Sequence, residues 1–94
     1  MKDPQTRKTR KAKIDRLLAQ YARPVQQAIS GSRKDKGLNQ TEAAELMGWS
    51  MGTLANIEEG RRQISVLEFI VLAKQMDIDP VAMLKRAIDW YGKS

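Results

Sequence analysis

Apolar residues recur along this 94-residue chain at spacings of three and four, and no segment alternates between apolar and polar positions as a half-buried strand does. The first helical stripe of this kind contains Ile14, Leu17, Leu18 and Tyr21. A second stripe begins at Val25 and continues at the same spacing. Because every strong periodicity is helical, the pattern predicts an all-α fold.

The amino-terminal part of the chain is predicted to divide into a tail and two helices. Residues 1–11 contain almost no apolar side chains and are expected to be disordered on their own. The stripe that begins at Ile14 marks an extra amphipathic helix. Pro24 suits the first turn of a separate helix, because the residue before a proline avoids the helical region. This next helix should run to about Lys36, where Gly37 can form a left-handed cap.

Four further helices are predicted downstream, each opened by a capping residue. They run from Asn39 to about Met47, from Met51 to about Glu59, from Ser65 to about Met76 and from Pro80 to about Tyr91. Asn39 and Ser65 are each followed three residues later by a glutamate, which is the spacing of a capping box. The expected architecture is five compact helices over residues 24–94, preceded by a basic arm and an extra helix over residues 1–23.

The second and third of the five helices are separated by only three or four residues around Gly48. Such a short connection forces two short helices to cross steeply, as in a helix-turn-helix. Ala44 is small where the helices must approach each other, and Gly48 can adopt positive φ without a Cβ penalty. Met47, Leu54 and Ile57 supply apolar anchors between the two helices. These residues together predict a helix-turn-helix.

Charge is concentrated at one end of the chain. Residues 1–23 hold eight Lys or Arg against two acidic residues, and residues 24–94 hold nine of each sign. The net charge of +6 therefore belongs to the amino-terminal segment. This distribution is typical of an arm that binds a polyanion, although a solvated tail that aids solubility remains an alternative.

Several classes of function are excluded by the residues that the chain lacks. It contains no cysteine and no histidine, which removes disulfides, thiolate metal sites and imidazole acid-base chemistry. Capping, helix solubility and pairing with Arg33 explain the carboxylates Glu42, Glu45, Glu58 and Glu59 without a catalytic role. There is also no apolar run long enough for a membrane span or a signal peptide. We expect a cytoplasmic protein that is not an enzyme and needs no metal or cofactor.

The stretch GLNQTEAAELMGWSMGTLANIEEGRRQISVLEFIVLAKQMDIDPVAML resembles the phage-repressor-like helix-turn-helix regulators of the Cro/cI or XRE type. The resemblance extends over residues 24 to about 84. It implies a five-helix lambda-repressor-like domain that binds a double-stranded DNA operator, most simply as a dimeric repressor of a phage, plasmid or mobile-element promoter. The alternative is an antitoxin-type protein that binds a toxin and autoregulates its operon. A toxin or an antirepressor is accordingly a possible protein partner.

The resemblance also assigns roles to individual residues. The residues matched to phosphate contacts are Gln40, Ser50, Arg61 and Arg62. The charge of the amino-terminal arm adds Lys8, Arg10 and Lys11 to that set. Positions that face base edges correspond to Met51, Gly52, Thr53, Ala55 and Asn56. An arginine and a glutamate that tie the first helix to the recognition helix correspond to Arg33 and Glu58.

The recognition helix departs from the family pattern at its first two positions. Relatives often carry Gln, Arg or Ser there, whereas Met51 and Gly52 cannot form bidentate hydrogen bonds with purines. Met51 can instead contact thymine methyl groups, and Gly52 can allow a closer approach to DNA or reflect drift at an exposed position. Asn56 is the chief candidate for a base reader, since its amide can pair with adenine. Readout of DNA shape, with the arm in a narrow minor groove, is the remaining alternative.

The last helix carries two apolar stripes where its own core needs only one. One stripe contains Val81, Leu84, Ile88 and Tyr91, and the other contains Met83, Ala87 and Trp90. The surplus predicts a two-fold homodimer, whose interface would include Leu84, Ile88, Trp90 and Tyr91. The alternative is that the extra amino-terminal helix buries both stripes within one monomer.

Overall fold

The computed structural model describes residues 4–93, with side chains described for residues 6–90. Over that range the chain forms five α-helices and no strand. The helices are α1 (Pro4–Asp35), α2 (Gln40–Leu46), α3 (Met51–Glu58), α4 (Val66–Gln75) and α5 (Pro80–Lys93). The predicted all-α helix-turn-helix fold is confirmed.

The amino-terminal prediction was wrong about the helix boundaries. One continuous helix of 32 residues replaces the predicted tail and two helices, and Pro24 lies inside it. Residues 4–23 are rich in Arg, Lys, Ala, Leu and Gln, which favour helix even where no core is available. Pro24 removes one amide donor and crowds the preceding turn, yet its ring is buried. Packing at Pro24 and the strong helix propensity of the residues before it therefore outweigh its tendency to break the helix.

The predicted caps of the later helices are present. Asn39 accepts from the amide of Glu42 at 2.8 Å, and the Glu42 carboxylate accepts from the amide of Asn39 at 2.9 Å. Ser65 and Glu68 form the same reciprocal pair, with both bonds at 3.0 Å. The Asp79 carboxylate accepts from the amide of Val81 at 3.0 Å and opens α5. These local bonds satisfy amides that would lack partners in the first turn of each helix.

The core is formed by the carboxyl-terminal half of α1 together with the other four helices. Its largest fully buried side chains are Pro24, Ile29, Leu54, Ile57, Leu72 and Met83. Arg86 of α5 bonds Asp35 of α1 at 2.6 Å and lies over the backbone of Gly31. By contrast, every side chain from Thr6 to Arg23 is exposed. The amino-terminal half of α1 is thus a helical extension outside the core.

Candidate nucleic-acid interface

The turn between α2 and α3 is built from backbone hydrogen bonds around a left-handed glycine. Gly48 has φ of 68°, and its amide donates to the carbonyl of Glu45 at 3.1 Å. The amide of Trp49 donates to the carbonyl of Ala44 at 3.0 Å. Leu54 and Ile57 of α3 are buried in the core. The opposite face of α3 is consequently directed away from the protein.

That outward face begins at Ser50, the capping residue of α3. The Ser50 hydroxyl accepts from the amide of Thr53 at 3.3 Å and lies 3.1 Å from the Thr53 hydroxyl. Met51 and Gly52 are exposed, whereas Ala55 and Asn56 are half-buried. The five predicted base contacts thus share one helix, but the Thr53 hydroxyl already interacts with the cap. A partner on this face would meet Met51 and Gly52 first.

The structure brings Arg33 and Glu58 together, as the family resemblance implied. Nε of Arg33 donates to Oε2 of Glu58 at 2.8 Å, and Nη2 donates to Oε1 at 3.0 Å. Only 9% of the Arg33 side chain and 6% of the Glu58 side chain are exposed. Nη1 of Arg33 also donates to the carbonyl of Leu38 at 2.8 Å. This bidentate pair fixes the end of α3 against α1.

Gln40 joins the same network, which the sequence did not indicate. Its Nε2 donates to Oε1 of Glu58 at 3.1 Å, so the first residue of α2 is tied to the end of α3. An amide group carries two N–H donors, and this bond uses one of them. The other donor is not used by this bond, and Glu58 holds the side chain in place.

The loop after α3 presents its two arginines differently. The amides of Arg61 and Arg62 both donate to the carbonyl of Asn56, at 2.8 and 3.2 Å. The Arg61 side chain is 74% exposed and pairs with exposed Glu59 at 3.1 Å. An exposed pair of this kind is weak and easily exchanged for a phosphate. Arg61 is therefore able to turn toward an anion.

Arg62 is held more firmly against the protein. Its Nη2 donates to Oε2 of Glu68 at 2.9 Å, and its guanidinium lies 5.4 Å from the centre of the Trp49 ring. The amide of Ser65 and the guanidinium of Arg62 hold the pKa of Glu68 below its ordinary value. Sequence patterns did not reveal these ties, because Glu68 already had an adequate explanation as a capping residue. Arg62 thus joins the helix-turn-helix to the start of α4.

The basic extension leaves the core beside this loop. The side chain of Gln26 is next to Gly60, and a Cβ atom added at Gly60 would lie 2.6 Å from its Nε2. Lys8 precedes Gln26 by 18 residues, or about five turns, so the two share one side of α1. Lys11 and Arg16 lie within about a quarter-turn of that side. Lys8, Arg10 and Lys11 are all exposed, and Lys11 pairs with exposed Asp15 at 3.3 Å.

The two stripes of α5 have different surroundings. Met83 and Ala87 are buried in the core, whereas Leu84, Ile88 and Trp90 are exposed. The side chain of Tyr91 lies outside the described residues. The extension of α1 projects away from the core, so the alternative in which it buries both stripes within one monomer is wrong. Leu84 and Ile88, called the outer stripe below, remain with Trp90 the candidate interface.

The described part of the chain lacks two other kinds of site. No group of three or more acidic, cysteine or histidine side chains there is arranged to hold a metal ion. Within the same residues, none of the helices combines the length and apolar content of a membrane span.

The fold and this outward helix define a helix-turn-helix DNA-binding protein. The chain belongs to the helix-turn-helix family of the XRE type, whose profile matches residues 32–82. It is a DNA-binding transcriptional regulator, a class of protein that is typically not enzymatic. Among curated proteins, none matches the chain by sequence.

Two solved structures share the fold. The clp gene regulator ClgR from Corynebacterium glutamicum superposes with a TM-score of 0.72 at 24% identity, covering 77% of each chain. An XRE-family like protein from Pseudomonas syringae pv. tomato str. DC3000 gives a TM-score of 0.70 at 23% identity. This match covers 84% of the present chain and 95% of the other. At these identities the likeness establishes a common fold.

Proposed function

We propose that the protein binds a double-stranded operator as a homodimer and represses a phage, plasmid or mobile-element promoter. The observation that carries this proposal is the outward face of α3, exposed at Met51 and Gly52. Gln40 beside it is held by Glu58, and the Arg61 loop follows it directly. A helix placed in the major groove needs such flanking donors to fix its position on the phosphates.

Phosphate contacts supply most of the affinity in this proposal. Gln40 contributes its free N–H, Ser50 its hydroxyl, and Arg61 a guanidinium released from its weak surface pair. Arg62 chiefly fixes the loop, because Glu68 and Trp49 already hold its side chain. The helical extension adds the charges of Lys8 and Lys11 on the side of α1 that carries Gln26 beside the loop, and the charge of Arg10 on the other side of the helix.

Base reading is limited to a few groups. Asn56 pairs with adenine through its amide, and Met51 contacts thymine methyl groups. Gly52 and Ala55 leave this face of α3 without bulky side chains, so that the helix can approach the bases closely. Thr53 shares its hydroxyl between Ser50 and the DNA. With so few directed donors, sequence preference also depends on how easily the DNA deforms.

The dimer interface lies on Leu84 and Ile88 of the outer stripe of α5, together with Trp90 and Tyr91. Three of these side chains are exposed in the monomer, whereas a small domain needs none of them on its surface. A two-fold pairing would place the two α3 helices in successive major grooves, about one DNA turn apart.

Selection of bound duplexes from a random pool tests the proposal. We expect enrichment of a two-fold symmetric sequence, and reduced transcription in vitro from a promoter that contains it. Asn56→Ala should relax preference at one base pair in each half-site, by about 1 to 3 kcal/mol of discrimination. Gln40→Ala is the matched control, because loss of a phosphate contact should weaken binding to all duplexes alike.

Failure to enrich any duplex at moderate salt would overturn the proposal. A protein-binding role, as in an antitoxin or the target of an antirepressor, would then be the better account of the exposed surfaces. Specificity that survives Asn56→Ala unchanged would instead assign readout to DNA shape.

A further inference from the structure

The extension of α1 carries an apolar stripe that the monomer does not bury. Ile14 is 51% exposed, Leu17 38% and Leu18 65%. These three residues, called the α1 stripe below, lie on one side of the helix and outside the core. Phosphate binding by the extension requires its lysines and arginines, but it gives no reason for large aliphatic side chains in water.

A second apolar surface lies where α1, α4 and α5 meet. It is a groove with a volume of about 380 Å³, and its walls include Val25, Phe69, Ile70, Val81 and Leu84. None of the residues that line this groove is charged. Leu84 also belongs to the outer stripe of α5, so the groove is continuous with the proposed dimer interface.

Val25 connects the two apolar surfaces. It lines the groove and follows Leu18 by seven residues, or about two turns, on the same side of α1. Leu18 is consequently displaced from Val25 by about 10 Å along the helix axis. Since α1 is continuous from Pro4 to Asp35, a protomer's own stripe cannot turn back into its own groove. Stripe and groove instead face the same direction, side by side.

We propose that the α1 stripe of one protomer packs into the groove of a second copy, and that the second copy returns the contact. The inference rests on the proposed homodimer and specifies what covers its groove. A two-fold axis between the two surfaces buries both at once, because each molecule presents one of each.

The exposed area is sufficient for such a pairing. The α1 stripe, with Val66, Ile70, Val81, Leu84, Ile88 and Trp90, exposes roughly 900 Å², close to the approximately 800 Å² that each partner contributes to a stable interface. The apolar surface is thus the size of an interface.

Electrostatics favours the groove over a pairing of the two extensions with each other. Residues 1–23 hold eight cationic side chains and two anionic ones, so two parallel extensions side by side would repel. The uncharged groove accepts the apolar side of the extension without bringing those cations together. Lys8, about 80° around the helix from Leu18, then remains exposed for DNA.

Cysteine cross-linking tests the pairing directly, because the chain contains no cysteine of its own. Leu18→Cys and Val81→Cys proteins would be mixed and oxidised without DNA. We expect a mixed disulfide dimer between the two variants. Ala19→Cys is the matched control, since Ala19 is exposed on the far side of the extension and should not cross-link to Val81→Cys.

Other cross-linking results would overturn the inference. Disulfides between two copies of Leu18→Cys, with no mixed product, would show that the extensions pair with each other. If Ala19→Cys cross-linked to Val81→Cys as well as Leu18→Cys does, the disulfides would reflect non-specific collision. If every variant remained monomeric, the proposed homodimer would be wrong as well.

Leu18→Asp provides a second measurement that does not depend on cross-linking. It should raise the dimer dissociation constant about 100-fold, because symmetry removes two buried leucines, each contributing roughly tenfold. The melting temperature of the folded core, followed in dilute monomer, should not change, since Leu18 is outside the core. An unaltered dissociation constant would exclude the pairing.

The outcome can be separated from that of the proposed function. A specific mixed disulfide without enrichment of any duplex would retain this interface and reject operator binding. Enrichment of a symmetric duplex without the mixed disulfide would retain operator binding and reject this interface.

Discussion

Glu58 is the residue on which the geometry of the DNA-facing surface depends most. It accepts two bonds from Arg33 and one from Gln40, so one carboxylate links α1, the start of α2 and the end of α3. Such a buried pair contributes less net stability than its short distances suggest, because both charges lose their water. Its main effect is to fix three helices in one arrangement.

Glu58→Ala should lower the free energy of unfolding by about 3 to 5 kcal/mol, since it leaves the buried Arg33 guanidinium without its counter-charge. Urea unfolding would measure the change. Glu59→Ala is the adjacent control and should cost less than about 0.5 kcal/mol, because the Glu59–Arg61 pair is exposed. Equal effects of the two substitutions would contradict this account.

Gly52 has no structural role in the free protein that requires glycine. A Cβ atom there would meet only the Ser50 hydroxyl, at 3.9 Å, and the position is exposed. Glycine within a helix is less stable than alanine by roughly 0.5 to 1 kcal/mol. No contact within the folded monomer offsets this loss of helix stability. A closer approach of α3 to DNA would offset it.

Gly52→Ala should raise the free energy of unfolding by up to about 1 kcal/mol and weaken operator binding about tenfold, the effect of roughly 1.4 kcal/mol of steric cost. Urea unfolding and fluorescence anisotropy with a labelled operator would measure the two quantities on the same protein. Higher stability with unchanged affinity would show that Gly52 reflects drift.

At the scale of the elements, α2 to α5 could be predicted from the sequence because their signals are local. Asn39 and Ser65 each accept a hydrogen bond from an amide three residues further along, and the positive φ of Gly48 shapes only its own turn. Each predicted end lay within about two residues of the observed one. Asp77, with φ of 60° between α4 and α5, was missed, since aspartate only occasionally adopts this conformation.

The course of α1 could not be predicted in the same way. Pro24 was predicted to separate two helices, because a proline usually interrupts a helix. The burial of its ring and the helix propensity of the preceding residues instead keep α1 continuous. Side-chain ties across the fold, such as Gln40 to Glu58 and Arg62 to Trp49, join residues too distant in sequence for any local pattern. The family resemblance thus predicted the Arg33–Glu58 tie, whereas the further ties through Gln40 and Trp49 could not be predicted.

A helical extension presents its charges differently from a disordered arm. Replacing both Lys8 and Lys11 by Gln should reduce the salt dependence of operator binding by up to about two in the slope of log K against log salt, or roughly 0.9 per lost phosphate contact. Titrations over a range of salt would measure the slope. Lys74→Gln, on α4, is the control and should leave it unchanged. The same slope for the double variant would show that the extension does not touch phosphates.

At the scale of the whole molecule, operator binding and self-association are coupled. When one dimer binds both half-sites, the second binding event is intramolecular and therefore more favourable. Affinity for the full operator consequently depends on the dimer interface. Affinity for a single half-site depends only on α3 and its flanking donors. The two affinities can therefore be changed separately.

Ile88 is 54% exposed on α5 and lies outside both the core and the DNA-facing surface. Ile88→Asp should abolish dimerisation and lower affinity for the full operator at least about 100-fold, while half-site affinity changes little, because avidity is lost without loss of a DNA contact. Sedimentation velocity and anisotropy with both duplexes would measure this. Gln75→Asp makes the same change in net charge at an exposed position of α4 and should preserve both properties. If Ile88→Asp remained dimeric, the outer stripe of α5 would not be the interface, and the spacing of the two recognition helices would have to be set elsewhere.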